Sequence, residues 1–220
     1  MEVFSLPFAL EVMPALLRGA VVTFAATIGG FAAALLVGGV LLALGRSSSW
    51  MLAFLGRCLM ELFRSTPLLI QVYFLFFVLP DFGIVLEPVT TGIIALGIYH
   101  GAYVAEAYRA AMGSIPQGQW DAVESLRFSR FTAYRHLILP QIVTPLTPAL
   151  GNTFITMLKD TPILAAITVP ELMFAANDAG SQTFRYVEPI TIAALAYLVM
   201  SGIAAFGVYM VQSRLARRFQ

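Results

Sequence analysis

Charge is what this sequence has least of. Only 11% of its 220 residues are charged, while 59% are hydrophobic. A soluble domain usually carries about 25% charged residues, enough to cover its surface in water. The net charge of +1 excludes the strongly basic face that nucleic-acid binding requires. The composition therefore favours a protein surrounded by lipid and excludes nucleic acid as a partner.

Cysteine, histidine and lysine are almost absent as well. A single cysteine, Cys58, excludes an intrachain disulfide and a cysteine-rich metal site. The two histidines, His100 and His136, lack the spacing of a metal-ligand pair, so we expect no metal site. The one lysine, Lys159, does not follow a glycine, and the chain therefore lacks the Gly-Lys of a phosphate-binding loop. The N-terminal stretch has neither a basic region nor a small-residue cleavage site, and we expect no cleavable signal peptide.

Long uncharged runs occupy much of the chain. A bilayer core requires about 20 apolar residues per helix, and residues 19–45, 137–158 and 189–213 contain no charge. Two shorter runs, 65–80 and 88–105, become long enough only when they extend into charged neighbours. We predict one all-α domain over residues 1–220 that crosses the membrane about five times. The predicted spans are about residues 16–45, 57–80, 88–111, 137–160 and 188–213.

The arginines predict the direction of these spans. Arg46 and Arg57 flank the first connection, and residues 109–135 contain four arginines. The second connection, 81–87, has two acids and no basic residue. Basic residues in short loops mark the cytoplasmic side of a membrane. We therefore expect the N-terminus outside and the C-terminus in the cytoplasm, which requires an odd number of spans.

The third loop, residues 114–136, contains the most informative pattern. Trp120, Val123 and Leu126 recur at helical spacing and share one face of a short helix. Ser129 is a suitable N-cap for a second helix that enters the membrane. The pattern predicts two short helices at the cytoplasmic surface.

Asp121-Ala122-Val123, followed at a fixed spacing by Leu137-x-Leu139-Pro140, resembles the cytoplasmic E-A-A motif of ABC-importer permeases. Further blocks are similar to the polar amino acid branch of that family: Glu61 to Leu69, Gly101 to Glu106, Ser114 to Trp120, Gly151 to Ile155 and Leu158 to Thr161. Together they cover about residues 57–161. The chain departs from the motif at Arg127, where the family has a glycine. Glycine adopts a left-handed backbone more readily than arginine does.

The resemblance implies the type I ABC importer permease fold, with a coupling helix between the third and fourth spans. It implies a multi-pass subunit of the bacterial cytoplasmic (inner) membrane that works by alternating access and makes or breaks no bond. The implied partners are ATPase subunits that hold ATP and magnesium, a second permease subunit of the same or a paralogous kind, and an extracytoplasmic substrate-binding protein. No cofactor is expected in this chain. The implied solute is a polar amino acid or a similar zwitterion, such as an ectoine-type compatible solute.

The resemblance also assigns the loop helix to the ATPase. The residues expected to dock are Trp120, Asp121, Ala122, Val123, Glu124, Leu126 and Arg127. The alternative is an amphipathic helix that lies on the membrane surface.

Ionisable and polar groups inside the spans are candidates for the solute path, because they are costly in lipid. The candidates are Glu61, Arg64, Gln71, His100, Tyr103, Asn152, Lys159 and Asp160. Lys159 and Asp160 either line the path, where they complement a zwitterion, or mark the outer end of the fourth span. The uncharged candidates either face the pore or form hydrogen bonds between helices.

Two pairs of charged residues stand three positions apart, a spacing that places them on one helix face. Glu61 and Arg64 form either a functional pair or a structural one near the cytoplasmic interface. For Glu106 and Arg109 we predict a structural ion pair.

Two other classes of protein receive little support from the sequence. A membrane-embedded hydrolase would bring together a nucleophile and a base or a set of metal ligands, and the sequence offers no such pattern. A stand-alone secondary transporter or channel often carries inverted repeats, and none is evident. Uptake without any ATPase would favour the second class.

Overall fold

The computed structural model describes residues 4–218, with the side chains of Arg130 and residues 216–218 outside that description. Every regular element in the described range is helical. The α-helices are α1 Leu6–Gly45, α2 Trp50–Ser65, α3 Leu68–Tyr73, α4 Pro88–Gly113, α5 Gln117–Ser125, α6 Arg130–Ala133, α7 Leu139–Asp160, α8 Leu172–Thr183 and α9 Val187–Arg218. Wider π turns at Phe74–Val78 and Tyr134–Ile138 extend α3 and join α6 to α7, and 3-10 segments occupy Leu79–Phe82 and Thr161–Ile167. The all-α prediction is confirmed.

Within residues 4–218, two helices are long and apolar enough to cross a membrane by themselves. They are α1 and α9, and a third span results if α2 and the segment Leu68–Phe82 count as one. α1 has 40 residues and begins ten residues before the predicted span. At 1.5 Å per residue it is about 60 Å long, so it extends well beyond a bilayer core. The number of five spans stays a prediction.

The predicted second span, 57–80, is divided by a sharp bend. α2 and the segment Leu68–Phe82 meet at 105°, where Pro67 has no backbone N–H to continue the helix. The Gln71 amide bridges the gap: its Nε2 donates to the carbonyl oxygens of Phe63 at 2.8 Å and Thr66 at 3.2 Å. The side chain of Gln71 therefore satisfies backbone groups that the bend releases.

α1 and α4 pack closely because small residues line their contact. A Cβ atom at Gly38 would lie 2.6 Å from Cγ1 of Val104, whereas a Cβ at Gly39 would meet nothing within 4 Å. Small residues permit such close approach of helices in lipid, where the hydrophobic effect does not drive them together. The fully buried core around this contact includes Ala34, Ala95, Leu96, Val104 and Met157.

The fourth predicted span begins earlier than residue 137. Ser129 caps it as predicted, since its Oγ accepts a hydrogen bond from the amide of Thr132 at 3.2 Å. The helix then runs from Arg130 through the π turn and past Pro145 and Pro148 to Asp160. There it tightens into the 3-10 segment. α8 and α9 complete the fold.

Candidate functional site

The loop helix α5 is anchored to the spans by one aromatic side chain. Trp120 packs on a buried cluster that includes Met112, Ile115 and Ile138. Its ring meets that of Tyr134 edge to face, with the centroids 6.1 Å apart. Of the predicted docking residues on α5, Asp121, Ala122 and Glu124 are exposed, and Val123 is half-buried. The helix therefore presents a short polar surface away from the membrane-spanning helices.

Arg127 adopts the backbone conformation that the motif glycine would favour. Its φ is 50°, in the left-handed region. The amide of Arg127 donates to the carbonyl of Glu124 at 3.0 Å, and that of Phe128 to Val123 at 3.1 Å, which is the Schellman pattern at a helix end. Leu126, expected on the apolar face with Trp120, is 63% exposed, because α5 ends at Ser125 and the chain turns away.

A second polar region forms where α7 ends beside the middle of α4. Oδ2 of Asp160 lies 3.1 Å from Nε2 of His100. His100 is 3% exposed and Asp160 29%, so the carboxylate opens onto a space and the imidazole does not. The contact is one of proximity: within the described residues, Nε2 of His100 makes no hydrogen bond of regular geometry.

The depth of this contact bears on Lys159 and Asp160. His100 is twelve residues from the start of α4, about 18 Å along the helix axis. The end of α7 therefore lies beside the middle of a neighbouring helix rather than at its outer end. Non-helical backbone at such depth is tolerated where it is buried in protein or borders a cavity.

Aromatic rings surround the histidine. The ring of Tyr99 meets that of His100 edge to face at 5.1 Å, and the hydroxyl groups of Tyr99 and Tyr103 are 3.4 Å apart. The Arg64 guanidinium lies 5.6 Å from the centroid of Tyr103, within the range of a cation–π contact. Four predicted path residues, Arg64, His100, Tyr103 and Asp160, thus form one group. Tyr99 was missed, although its spacing of four from Tyr103 places it on the same face.

The remaining candidates lie apart from this group or are already engaged. Glu61 does not pair with Arg64 but accepts a hydrogen bond from Ser65 Oγ at 3.1 Å. Gln71 is engaged at the bend. Asn152 and Lys159 are both exposed on α7, seven residues apart and so on one side of the helix.

The predicted pair of Glu106 and Arg109 is confirmed. Nε of Arg109 donates to Oε2 of Glu106 at 2.9 Å. Its position near the end of α4 agrees with a structural role for the pair.

The sequence of this chain matches a known protein family. Residues 36–219 match the family described as binding-protein-dependent transport system inner membrane component. The chain belongs to that family. It is a membrane-embedded permease component of a binding-protein-dependent ABC importer, and so a transport subunit rather than an enzyme. Membership implies an ATPase and a substrate-binding protein as partners.

Several relatives match the permease over nearly its whole length. A probable amino-acid ABC transporter permease protein, y4tG, of Sinorhizobium fredii is 37% identical, with 97% of this chain and 92% of the relative covered. The glutamine transport system permease protein GlnP of Escherichia coli is 32% identical, with 94% of each chain covered.

Solved structures confirm the type I fold. A chain of an amino acid ABC transporter with histidines superposes with a TM-score of 0.89 at 31% identity, covering 96% of this chain and 99% of that one. An inward-facing chain of the MetNI methionine ABC transporter has a TM-score of 0.71 at 18% identity, covering 96% and 99%, and at that identity it supports the fold alone.

Proposed function

We propose that this permease forms the path by which a polar amino acid, or a similar zwitterion, crosses the bacterial cytoplasmic membrane. The relatives named above transport amino acids according to their names, glutamine among them. The observation that carries the proposal is the partly exposed carboxylate of Asp160 beside His100, with the exposed Lys159 next to it in the chain. An adjacent cation and anion complement the carboxylate and ammonium groups that all amino acids share.

The solute path is proposed to run past the half-open carboxylate of Asp160. The carboxylate can bind the ammonium group of an amino acid because their charges are opposite. Such an ion pair is stronger in a site of low dielectric than in water. Lys159 and Asn152 are exposed on one side of α7, two turns apart, and are proposed to continue the path. Selection among amino acids is proposed to rest mainly with the substrate-binding protein.

The energy is proposed to come from ATP and magnesium bound by separate ATPase subunits, against which α5 docks. The exposed side of α5 and its rigid attachment through Trp120 support this arrangement. A second permease subunit, identical or paralogous, completes the path. The orientation proposed is N-terminus outside and C-terminus in the cytoplasm, with α5 on the cytoplasmic side.

The test is uptake of radiolabelled L-glutamine and L-histidine into liposomes that contain the whole importer. Asp160→Asn and Lys159→Gln should each lower uptake at least about fivefold, if the lost interaction is worth 1 kcal/mol or more. Asp178→Asn is the matched control, because Asp178 is a carboxylate on α8 that bonds only to its neighbour Gln182 among the described side chains. Uptake by both path variants equal to that of the control would contradict the proposed path.

A further inference from the structure

A fully buried carboxylate lies outside the group at His100. Glu171 is 0% exposed and caps the N-terminus of α8, where its side chain accepts from the amides of Met173 at 2.9 Å and Phe174 at 2.6 Å. The hydroxyl of Tyr197, on α9, donates to Oε2 at 2.6 Å. A buried carboxylate requires several such donors to offset its loss of water. Glu171 is therefore satisfied by groups on more than one helix.

α1 reaches the same carboxylate. Oγ1 of Thr23 lies 3.4 Å from Oε2 of Glu171 and accepts from the amide of Leu172 at 3.1 Å. One helical turn earlier, a Cβ at Gly19 would lie 2.9 Å from the carbonyl oxygen of Glu171. The start of α8 is thus held in backbone contact with α1.

Polar contacts continue from Glu171 to the end of α7. Oη of Tyr197 lies 3.4 Å from Oγ1 of Thr161, and the Thr161 hydroxyl donates to the carbonyl oxygen of Leu158 at 2.8 Å. Because each hydroxyl has one hydrogen and both hydrogens are used elsewhere, Tyr197 and Thr161 are in direct contact without a hydrogen bond between them. Lys159 and Asp160 are the two residues between Leu158 and Thr161 in the sequence. The three side chains Glu171, Tyr197 and Thr161 therefore connect α8 and α9 to the turn that displays this pair.

The segment between Thr161 and Glu171 contains an uncommon backbone conformation. Thr168 has a φ of 62°, which is rare for a β-branched residue. The amide of Val169 donates to Leu164, and that of Glu171 donates to Val169 at 2.7 Å. Such a conformation persists only where the surrounding contacts hold it. The hydrogen bonds of Glu171 are among those contacts.

We propose that Glu171 is a positioning residue for the solute path, acting through Tyr197 and Thr161 to hold the turn that presents Lys159 and Asp160. This inference rests on the proposed function of that pair. Glu171 itself does not contact the solute. Its role is to keep the end of α7 in one conformation, so that loss of the carboxylate loosens the turn without removing any group from the path.

Another buried carboxylate provides a matched control. Glu188 is 1% exposed and lies in the first turn of α9, where it pairs with Arg185 and accepts from the amide of Ser5 at 2.8 Å. None of its described hydrogen bonds involves the end of α7. A role of Glu171 limited to folding would make Glu171→Gln and Glu188→Gln equivalent.

The experiment uses the whole importer in liposomes and a nitroxide at position 159, attached through Lys159→Cys after Cys58→Ser has removed the natural cysteine. In Glu171→Gln, an NH₂ group replaces one carboxylate oxygen and faces the backbone N–H groups at the start of α8. Tyr197→Phe removes the hydroxyl group that contacts Thr161. Both should increase nitroxide mobility in the electron paramagnetic resonance spectrum. In unlabelled chains, both should lower the solute transported per ATP hydrolysed about fivefold or more. Glu188→Gln should leave the spectrum and the ratio unchanged.

Spectra unchanged by Glu171→Gln and Tyr197→Phe would overturn the positioning role. So would a transport ratio equal to that of Glu188→Gln at a similar loss of thermal stability. The proposed solute path fails separately, if Asp160→Asn and Lys159→Gln leave uptake intact. If Glu171→Gln does not insert, Tyr197→Phe alone decides the inference, because it retains the carboxylate and its helix cap.

Discussion

The carboxylate of Asp160 lies 3.1 Å from the imidazole of His100. The two residues are sixty positions apart in the sequence, and their contact joins α7 to α4. It places the end of α7 beside the middle of α4. The side chain of His100 is buried and that of Asp160 is partly exposed, so the pair is accessible from the side of the carboxylate. A solute on that side would meet the carboxylate before the ring.

The pair should behave as a unit when both members are changed. We predict that His100→Gln and Asp160→Asn each reduce L-glutamine uptake and that the double variant loses less than the sum of the two effects. Residues in contact typically show an interaction energy of about 0.5–3 kcal/mol in such a cycle. The measurement is initial uptake by the reconstituted importer for all four chains. Additive effects would show that the contact has no energetic role.

The exposed side of α5 should transmit ATP-driven motion. We predict that Ala122→Arg lowers uptake about 5–150-fold, as the loss of about 1–3 kcal/mol of coupling would do, while the chain still inserts in the membrane. A bulky cation on this side of α5 would block docking against the ATPase. Uptake and ATP hydrolysis are measured together in liposomes.

Gly113→Arg is the control for that substitution, since position 113 is open and lies outside α5. It should retain uptake. Normal uptake by Ala122→Arg would favour the alternative in which α5 lies on the membrane surface.

Arg127 should tolerate glycine unusually well. Its left-handed backbone costs a non-glycine residue about 1–2 kcal/mol, so Arg127→Gly should leave the thermal midpoint of unfolding unchanged or raise it. Arg135 is also an exposed arginine, but it lies in the helical turn Tyr134–Ile138. Arg135→Gly should therefore destabilise the protein by about 1 kcal/mol. Equal losses at both positions would contradict the conformational explanation.

Much of the fold was predictable because it depends on local patterns. Uncharged runs located the long helices, and Ser129 located the start of the helix that leads into α7. The 105° bend between α2 and the segment Leu68–Phe82 was not predicted, since it involves Gln71 reaching back to the carbonyl groups of Phe63 and Thr66 across the bend. The early start of α1 was also missed, because Arg18 and Glu11 interrupt its apolar pattern.

The candidate site was predictable only in its parts. His100, Tyr103 and Asp160 were identified as polar groups in apolar surroundings, but helical periodicity says nothing about which helices meet. Glu171 was missed as a buried group for the same reason. It stands in a connection between predicted spans, where an acid is ordinarily exposed, and its burial depends on Thr23 and Tyr197 from distant parts of the chain.

Two adjacent glycines should give opposite results, which tests the packing of α1 on α4. A Cβ at Gly38 would lie 2.6 Å from Cγ1 and 2.9 Å from Cβ of Val104, and neither atom is the end of a flexible side chain. We predict that Gly38→Leu lowers the thermal midpoint and costs about 1–3 kcal/mol, as overpacking usually does. Gly39→Leu should leave the midpoint unchanged or raise it, because that position meets nothing within 4 Å and leucine favours a helix more than glycine does. Both variants add the same side chain to the same helix, so helix propensity and hydropathy cancel in the comparison. Equal midpoints would mean that α1 and α4 are farther apart at Gly38 than the 2.6 Å contact with Val104 requires.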